Sequence, residues 1–316
     1  MKAKTIKQVI RKKIDAWLES IEDKSVRVLV AKNTIVTGGA IASLLLKERV
    51  NDFDVYFRNR ETALAVARYY VANFEPMKRN GIDCAISVDD SQADRVRIVV
   101  KSAGIASEDG SDQPYEYFES RPEGEANDYV GEVMNDPGEI EDTNEALREG
   151  ANQDTSSTDA RPPYRPIFLS TNAITLSDRV QVVLRFYGEP DNIHENYDYV
   201  HCTNYWTSWD ETLVLRPAAL EALLSRELTY VGSKYPVCSI IRLRKFIRRG
   251  WTINAGQMLK IMMQISALNL TDPAVLQDQL TGVDCAYFAE LIAKVKEKDP
   301  TKINVAYLCE IIDRMF

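Results

Sequence analysis

The stretch from residue 107 to residue 160 constrains this chain more than any other feature. It holds 17 Asp or Glu against two basic residues, Arg121 and Arg148, for a net charge of −15. It is rich in Gly, Ser, Asn and Asp and poor in β-branched residues. Such a segment cannot bury enough apolar surface to offset the entropy of ordering it, so a flexible acidic insert is expected. Its few apolar residues (Tyr115, Tyr117, Phe118, Tyr129, Val130) suit docking as short anchors on a protein partner.

The insert changes how the composition reads. The whole chain of 316 residues carries 39 Lys or Arg and 47 Asp or Glu, a formal charge of −8. Outside the insert 37 basic and 30 acidic residues remain, a body of +7. The acidic balance therefore does not argue against a nucleic-acid or nucleotide partner. Hydrophobic residues at 45% are ordinary for a globular protein, and the length suits about two domains at roughly 150 residues each. No window approaches the roughly 18–20 apolar residues of a membrane span, and basic Met1 to Lys13 has no apolar run behind it. No membrane association is expected. Five scattered cysteines (Cys84, Cys202, Cys238, Cys285, Cys309) without a C-x-x-C fit neither a disulfide framework nor a structural zinc. A reducing cytoplasm is expected, the host's if the chain is viral.

Four regions follow: an α/β part over 1–106, the insert over 107–160, a second α/β part over 161–216 and a helical region over 217–316. Ile6, Ile10, Ile14, Trp17, Leu18 and Ile21 mark one amphipathic helix. Ala40 to Glu48 reads as a short helix, Asp52 to Phe57 as a strand, and Leu64 to Phe74 as a helix. Ile82 to Val88, Arg95 to Val100, Ile167 to Ser170, Ala173 to Leu176, Val180 to Phe186, Tyr197 to Asn204 and Thr212 to Leu215 are strand-like. From Pro217 the pattern is helical. Pro217 and Pro236 sit at helix starts, and apolar stripes are expected at Leu220, Leu223 and Leu224, at Ile240 to Ile247, and at Phe288 to Val295 and Val305 to Ile312.

The chemistry concentrates in Thr37-Gly38-Gly39-Ala40-Ile41 and, twelve residues beyond Gly39, Asp52-Phe53-Asp54-Val55. Residues i and i+2 of a strand share a face, so Asp52 and Asp54 present two carboxylates side by side. They repel unless a cation sits between them, and hard oxygen ligands of this kind suit Mg²⁺ shared with substrate phosphates. Glycines at a turn into a helix let backbone N–H groups approach a phosphate.

Gly38-Gly39-Ala40-Ile41-Ala42-Ser43-Leu44-Leu45-Leu46, followed by Val50-Asn51-Asp52-Phe53-Asp54-Val55, resembles the signature of the DNA-polymerase-β-like nucleotidyltransferase superfamily. CCA-adding enzymes and bacterial poly(A) polymerases are the most similar in pattern. The chain also resembles nucleotidyltransferase-like modules in phage and large-virus proteins of unassigned activity. The resemblance implies an α+β fold, a mixed sheet with flanking helices, followed by an all-helical C-terminal domain. It implies transfer of a nucleoside monophosphate from an NTP, with ATP the expected donor, to an acceptor hydroxyl such as RNA or tRNA. In the family the glycines contact the triphosphate and the two Asp hold two Mg²⁺ ions. Those roles fall on Gly38, Gly39, Asp52 and Asp54, with Ser43 and Arg49 beside them as nucleotide contacts.

Two departures stand out. Relatives have Arg-Asp where this chain has Ala42-Ser43, with Arg49, Arg58 and Arg60 as replacements to consider. The third carboxylate of the family falls either on Asp198, in Tyr197-Asp198-Tyr199-Val200-His201, or on the strand position of Gln181, which is not an acid. These departures support an alternative: a weak or inactive protein of this fold that binds a partner or joins a viral assembly. On a helix, Arg242, Lys245, Arg248 and Arg249 share a face, a phosphate-binding stripe beside Trp251. Arg242, Lys245 and Arg249 are the nucleotide-binding candidates there. His194, His201 and Cys202 read as structural, and Tyr205, Trp206 and Trp209 as either packing or base-stacking residues.

Overall fold

The structure is a computed structural model that describes residues 1–74, 84–102, 163–169 and 172–270, together with Asp272, Val275 and Gln279. The acidic insert and the stripes beyond residue 280 lie outside the described residues. Helix α1 (Ala3–Ser20) buries Ile6, Ile10, Ile14 and Trp17 along one stripe, as its spacing predicts. A second helix, α2 (Lys24–Asn33), is not singled out by apolar spacing. It forms because Asp23 caps it, accepting from the N–H groups of Ser25 (2.7 Å) and Val26 (3.2 Å).

Next come β1 (Thr34–Thr37), α3 (Gly39–Leu46), β2 (Phe53–Phe57) and α4 (Arg60–Ala72), the order expected for residues 34–74. Asn59 caps α4 through the N–H of Thr62. Among the described residues, strands β3 (Cys84–Asp89) and β4 (Arg97–Ser102) pair with each other in a separate two-stranded sheet. Strands β5 (Pro166–Leu169), β6 (Ala173–Leu176) and β7 (Val180–Tyr187) lead to a short helix, α5 (Pro190–His194), a 3-10 turn (Val200–Cys202), β8 (Tyr205–Thr207) and β9 (Leu213–Val214). The main sheet has the order β5-β6-β7-β2-β1-β8-β9. Strands from both sides of the insert therefore share one sheet. It is mixed, because β2 is antiparallel to β1 and parallel to β7.

The pleat gives the sheet two different faces. Phe53, Val55 and Phe57 of β2 join Val180, Val182 and Leu184 of β7 in the main core beneath α1 and α4. The opposite face carries Asp54, Tyr56, Gln181 and Val183. Trp17 of α1 donates its indole N–H to the hydroxyl of Tyr70 on α4 at 2.7 Å, both residues being buried.

Helix α6 (Pro217–Ser225), β10 (Glu227–Leu228), α7 (Pro236–Arg248), β11 (Thr252–Ile253) and α8 (Ala255–Ser266) follow. Both prolines lie in the first turn, as expected. The short parallel pair β10–β11 is an addition to the helical pattern. None of the described helices is long and apolar enough to cross a membrane.

Three sequence expectations change. Tyr197 to Asn204 is not a strand: only Tyr199 bridges Tyr230, and the 3-10 turn follows, because Tyr199 and His201 are drawn into a ring cluster away from the sheet. Leu224 is 88% exposed, since α6 buries Ala219, Ala222 and Leu223 instead. Ile240 and Ile247 are exposed as well, because α7 turns Cys238 and Ser239 inward.

The Trp17–Tyr70 bond yields a prediction. Tyr70→Phe leaves a buried indole N–H without its acceptor, so urea unfolding should show a loss of about 1–3 kcal/mol. A change under about 0.5 kcal/mol would mean that water replaces the hydroxyl.

Candidate active site

The site is built where the end of β1 meets the start of β2. Asp54 lies between Thr37 of β1 and Gln181 of β7 in the hydrogen-bonded register. Asp52 stands two residues earlier, just before the strand, and is half-buried like Asp54. Gly38 closes the turn into α3 with φ +83° and ψ −150°, a backbone that L side chains rarely adopt. A Cβ at this position would lie 2.5 Å from Oδ2 of Asp54. Glycine is therefore required twice, by the backbone conformation and by the approach of the carboxylate. The N–H of Gly38 donates to the carbonyl of Cys202 at 3.1 Å, which ties the turn to the 3-10 turn. Gly39 opens α3 and is exposed, with open space where a Cβ would be.

Gln181, rather than Asp198, faces Asp54. Paired residues on adjacent strands point to the same side, so the Gln181 amide stands next to the carboxylate. Asp198 is 7% exposed and committed elsewhere. Its Oδ2 is 2.5 Å from Nη1 of Arg242, and its Oδ1 accepts from Oγ of Ser239 at 2.9 Å. The structure uses Asp198 to hold the loop before the 3-10 turn against α7.

The basic stripe of α7 does reach this region. Arg242 and Arg249, together with Asp54 and Asp198, all act on the thiol of Cys202. Burial, and then the two carboxylates, push that thiol up to about 12, so it is a neutral, packed group and not a nucleophile. Arg249 pairs with Glu48 just past α3 (3.2 Å), and Arg226 holds the other oxygen of Glu48 at 3.0 Å. Lys245 is half-buried on the same stripe and makes no ion pair among the described residues. Arg244 and Arg248 are exposed. Ser43 is half-buried on α3, where its carbonyl accepts from the N–H of Glu48 at 2.8 Å, and Arg49 is exposed in the following loop.

Ala42 has a physical reason to be small. It is 6% exposed and packs with Tyr199, Leu223, Leu228, Tyr230, Trp251 and Ile261, where the helical part meets α3. Arg58 and Arg60 are engaged away from the glycine turn. Arg58 pairs with Glu189 at 2.5 Å and lies over the Trp209 ring, and Arg60 donates to the carbonyl of Asp90 at 2.6 Å.

Trp251 is buried in a ring cluster, with the His201 centroid 4.4 Å away, so it closes the core and offers no stacking platform. Trp206 is buried likewise, and Tyr205 and Trp209 pack beneath α5 around Ile35, Tyr56, Val183 and Ile193. Sequence reasoning did not anticipate the contact of Nε2 of His194 with Oγ1 of Thr37 at 2.8 Å. The Thr37 hydroxyl donates to the carbonyl of Asn204 at 2.9 Å, so His194 is the donor and its Nε2 carries the proton.

Comparison with known proteins identifies the family. The model of the Gabija anti-defense 2 family matches residues 8–226. This chain belongs to that family. A curated relative, Gabija anti-defense 2 of Bacillus phage SPbetaL7, is 21% identical over 116 residues. The match covers 36% of this chain and only 29% of the relative. Among solved structures, the Bacillus stearothermophilus CCA-adding enzyme with CTP aligns over 88% of this chain and 50% of its own, at 11% identity and a TM-score of 0.36. The Thermotoga maritima CCA-adding enzyme with tRNA aligns over 90% and 53%, at 10% identity and a TM-score of 0.37. The chain thus spans about half the length of these enzymes. The reading of the site as nucleotidyltransferase-like rests on its own sheet and motif.

Two predictions follow from this geometry. Gly38→Ala puts a methyl group 2.5 Å from Oδ2 of Asp54, which strains the turn and displaces the carboxylate. Its cost in stability should be about 1–3 kcal/mol by thermal unfolding, against no comparable loss for Gly39→Ala. Burial lowers both His194 and His201 to about 4 from an ordinary value near 6.5. The unfolded chain binds more protons between those values, so stability should fall as pH drops from 6.5 to 4, by up to about 1.4 kcal/mol per pH unit for each histidine. His201→Phe should flatten that slope in urea titrations, and an unchanged slope would refute the assignment.

Proposed function

We propose that this chain is a metal-dependent nucleotidyltransferase that serves an anti-defence role. The observation that carries the reading is the head of β2. Asp54 stands there beside the glycine turn with Asp52 two residues before it, and Gly38 leaves the Asp54 carboxylate the room a side chain would fill. Asp52 and Asp54 are the residues that would hold Mg²⁺, together with the oxygens of a nucleoside triphosphate, ATP being the first to test. When bound, the ion supplies charge stabilisation at the α-phosphate.

The chain's own residues supply the rest. The first-turn N–H groups of α3 begin next to Gly38, and a helix end of this kind favours a triphosphate's negative charge. Arg242 and Arg249 stand near this region in their ion pairs, and Lys245, on the same helix, is the further cation proposed for the nucleotide. An acceptor hydroxyl attacks the α-phosphorus and pyrophosphate leaves. Exposed Arg244 and Arg248 extend the basic face, which favours a polyanionic acceptor such as RNA, including tRNA. The family name supports placing this reaction in action against a Gabija defence.

A second reading is a nucleotide-binding protein that transfers nothing. The neutral amide of Gln181 facing Asp54 favours it, because no acid stands there to take the acceptor's proton.

The two readings separate in one assay. With α-labelled ATP, Mg²⁺ and RNA, Asp52→Ala/Asp54→Ala should lower label transfer by about 100-fold or more. Equal labelling by wild type and the double variant, with RNA and with protein acceptors, overturns the enzyme reading. Retained nucleotide binding in the wild type then supports the second one.

A further inference from the structure

We infer that Arg185 and Tyr235 form a second anion site, which takes a phosphate group. It lies apart from the head of β2, because Arg185 follows Gln181 by four residues on β7, about 13 Å along the strand. The site does not depend on the transfer reaction proposed above.

A buried charge marks it. Arg185 is 6% exposed and makes no ion pair among the described residues. A guanidinium, unlike an ammonium, keeps its charge on burial, and burying a charge without an opposite one is costly. The half-buried arginines of α7 meet that cost with carboxylates, Arg242 with Asp198 and Arg249 with Glu48. Arg185 has two neutral neighbours instead. Its Nε donates to the hydroxyl of Tyr235 at 3.3 Å, and its guanidinium carbon lies 5.1 Å from the centre of the Phe186 ring. The ring offsets part of the desolvation through its quadrupole and brings no charge.

Donors are in excess here. An arginine side chain has five N–H groups, and the one on Nε is the one with a hydrogen-bond partner among the described residues. Tyr235 is buried too, just before α7, and its hydroxyl accepts from Arg185 while its own proton has no acceptor among those residues. The contact between Nε and the hydroxyl keeps the unspent donors of both side chains together, between β7 and the start of α7. A planar fork with a hydroxyl donor beside it matches the oxygens of a phosphate, which also supplies the negative charge that Arg185 lacks. Inorganic phosphate and the phosphate of a nucleotide offer this chemistry equally.

Calorimetric titration of the full chain at constant ionic strength tests the site, with inorganic phosphate and AMP as probes. Wild type should bind phosphate, Arg185→Met should weaken binding about 10-fold or more, and Tyr235→Phe, which keeps the ring, about fivefold. Phosphate should also raise the melting temperature of wild type and not that of Arg185→Met. Tighter binding of AMP, lost in Arg185→Met, identifies a nucleotide as the source, and equal binding of the two probes identifies free phosphate. Absence of binding to folded wild type, undiminished binding to Arg185→Met, or displacement of phosphate by an equal concentration of acetate overturns the inference and leaves the nucleotide reading standing. If Arg185→Met does not fold, Arg185→Lys, which keeps the charge and loses the fork, takes its place with the same expected loss.

Discussion

The parallel pairing of β2 with β7 is the constraint on which the rest of the structure depends. Parallel strands cannot be joined by a tight turn, so this pair is made between residues more than a hundred positions apart. Once formed, it places β2 between two partners and buries Val55 and Phe57 under α1 and α4. The period of two then leaves Asp54 no choice of face. It stands between Thr37 and Gln181, on the side away from the main core, where α3 begins and the helical part arrives. The site is a consequence of sheet register before it is a set of side chains.

The charges near that site are mostly arranged in pairs. Arg242 and Asp198, and Arg249 and Glu48, join α7 to the loop before the 3-10 turn and to the end of α3. A half-buried pair of this kind contributes little net stability, because desolvation offsets much of the Coulomb gain, but removing Arg242 leaves the buried Asp198 charge without its partner. The pairs therefore act as positional ties. They hold a cationic helix beside two carboxylates without leaving every guanidinium open to a ligand. Lys245 is the cation of the stripe without an ion-pair partner among the described residues. Ala42 belongs to the same arrangement, since a longer side chain there would separate α3 from Leu223, Tyr230 and Trp251.

Much of this was legible in the chain. The stripe of α1, the strand–glycine–helix–strand order over residues 34–57 and the strand at 180–187 follow from periodicity and turn residues, each within a short window. The misreadings also have local causes. Helix α2 depends on one capping aspartate in a stretch without clear apolar spacing. Tyr197 to Asn204 alternates like a strand, yet Tyr199, His201, Phe246 and Trp251 gain more from packing ring against ring than from joining the sheet edge. Leu224 shows that spacing marks a stripe but not its limits, because the partner surface decides which residues it covers.

By itself the sequence determined the glycine turn, the strand that carries Asp54 and the basic helix, since each needs only neighbouring residues and backbone geometry, whereas Asp52, expected on the same strand, lies just before it. Only the tertiary structure decided that Gln181 and not Asp198 faces Asp54, that Arg242 and Arg249 are paired, and that Trp251 is packed away. Those outcomes rest on strand register and helix docking between distant segments. Local sequence carries the chemistry a residue is capable of, and the fold selects which partner it meets.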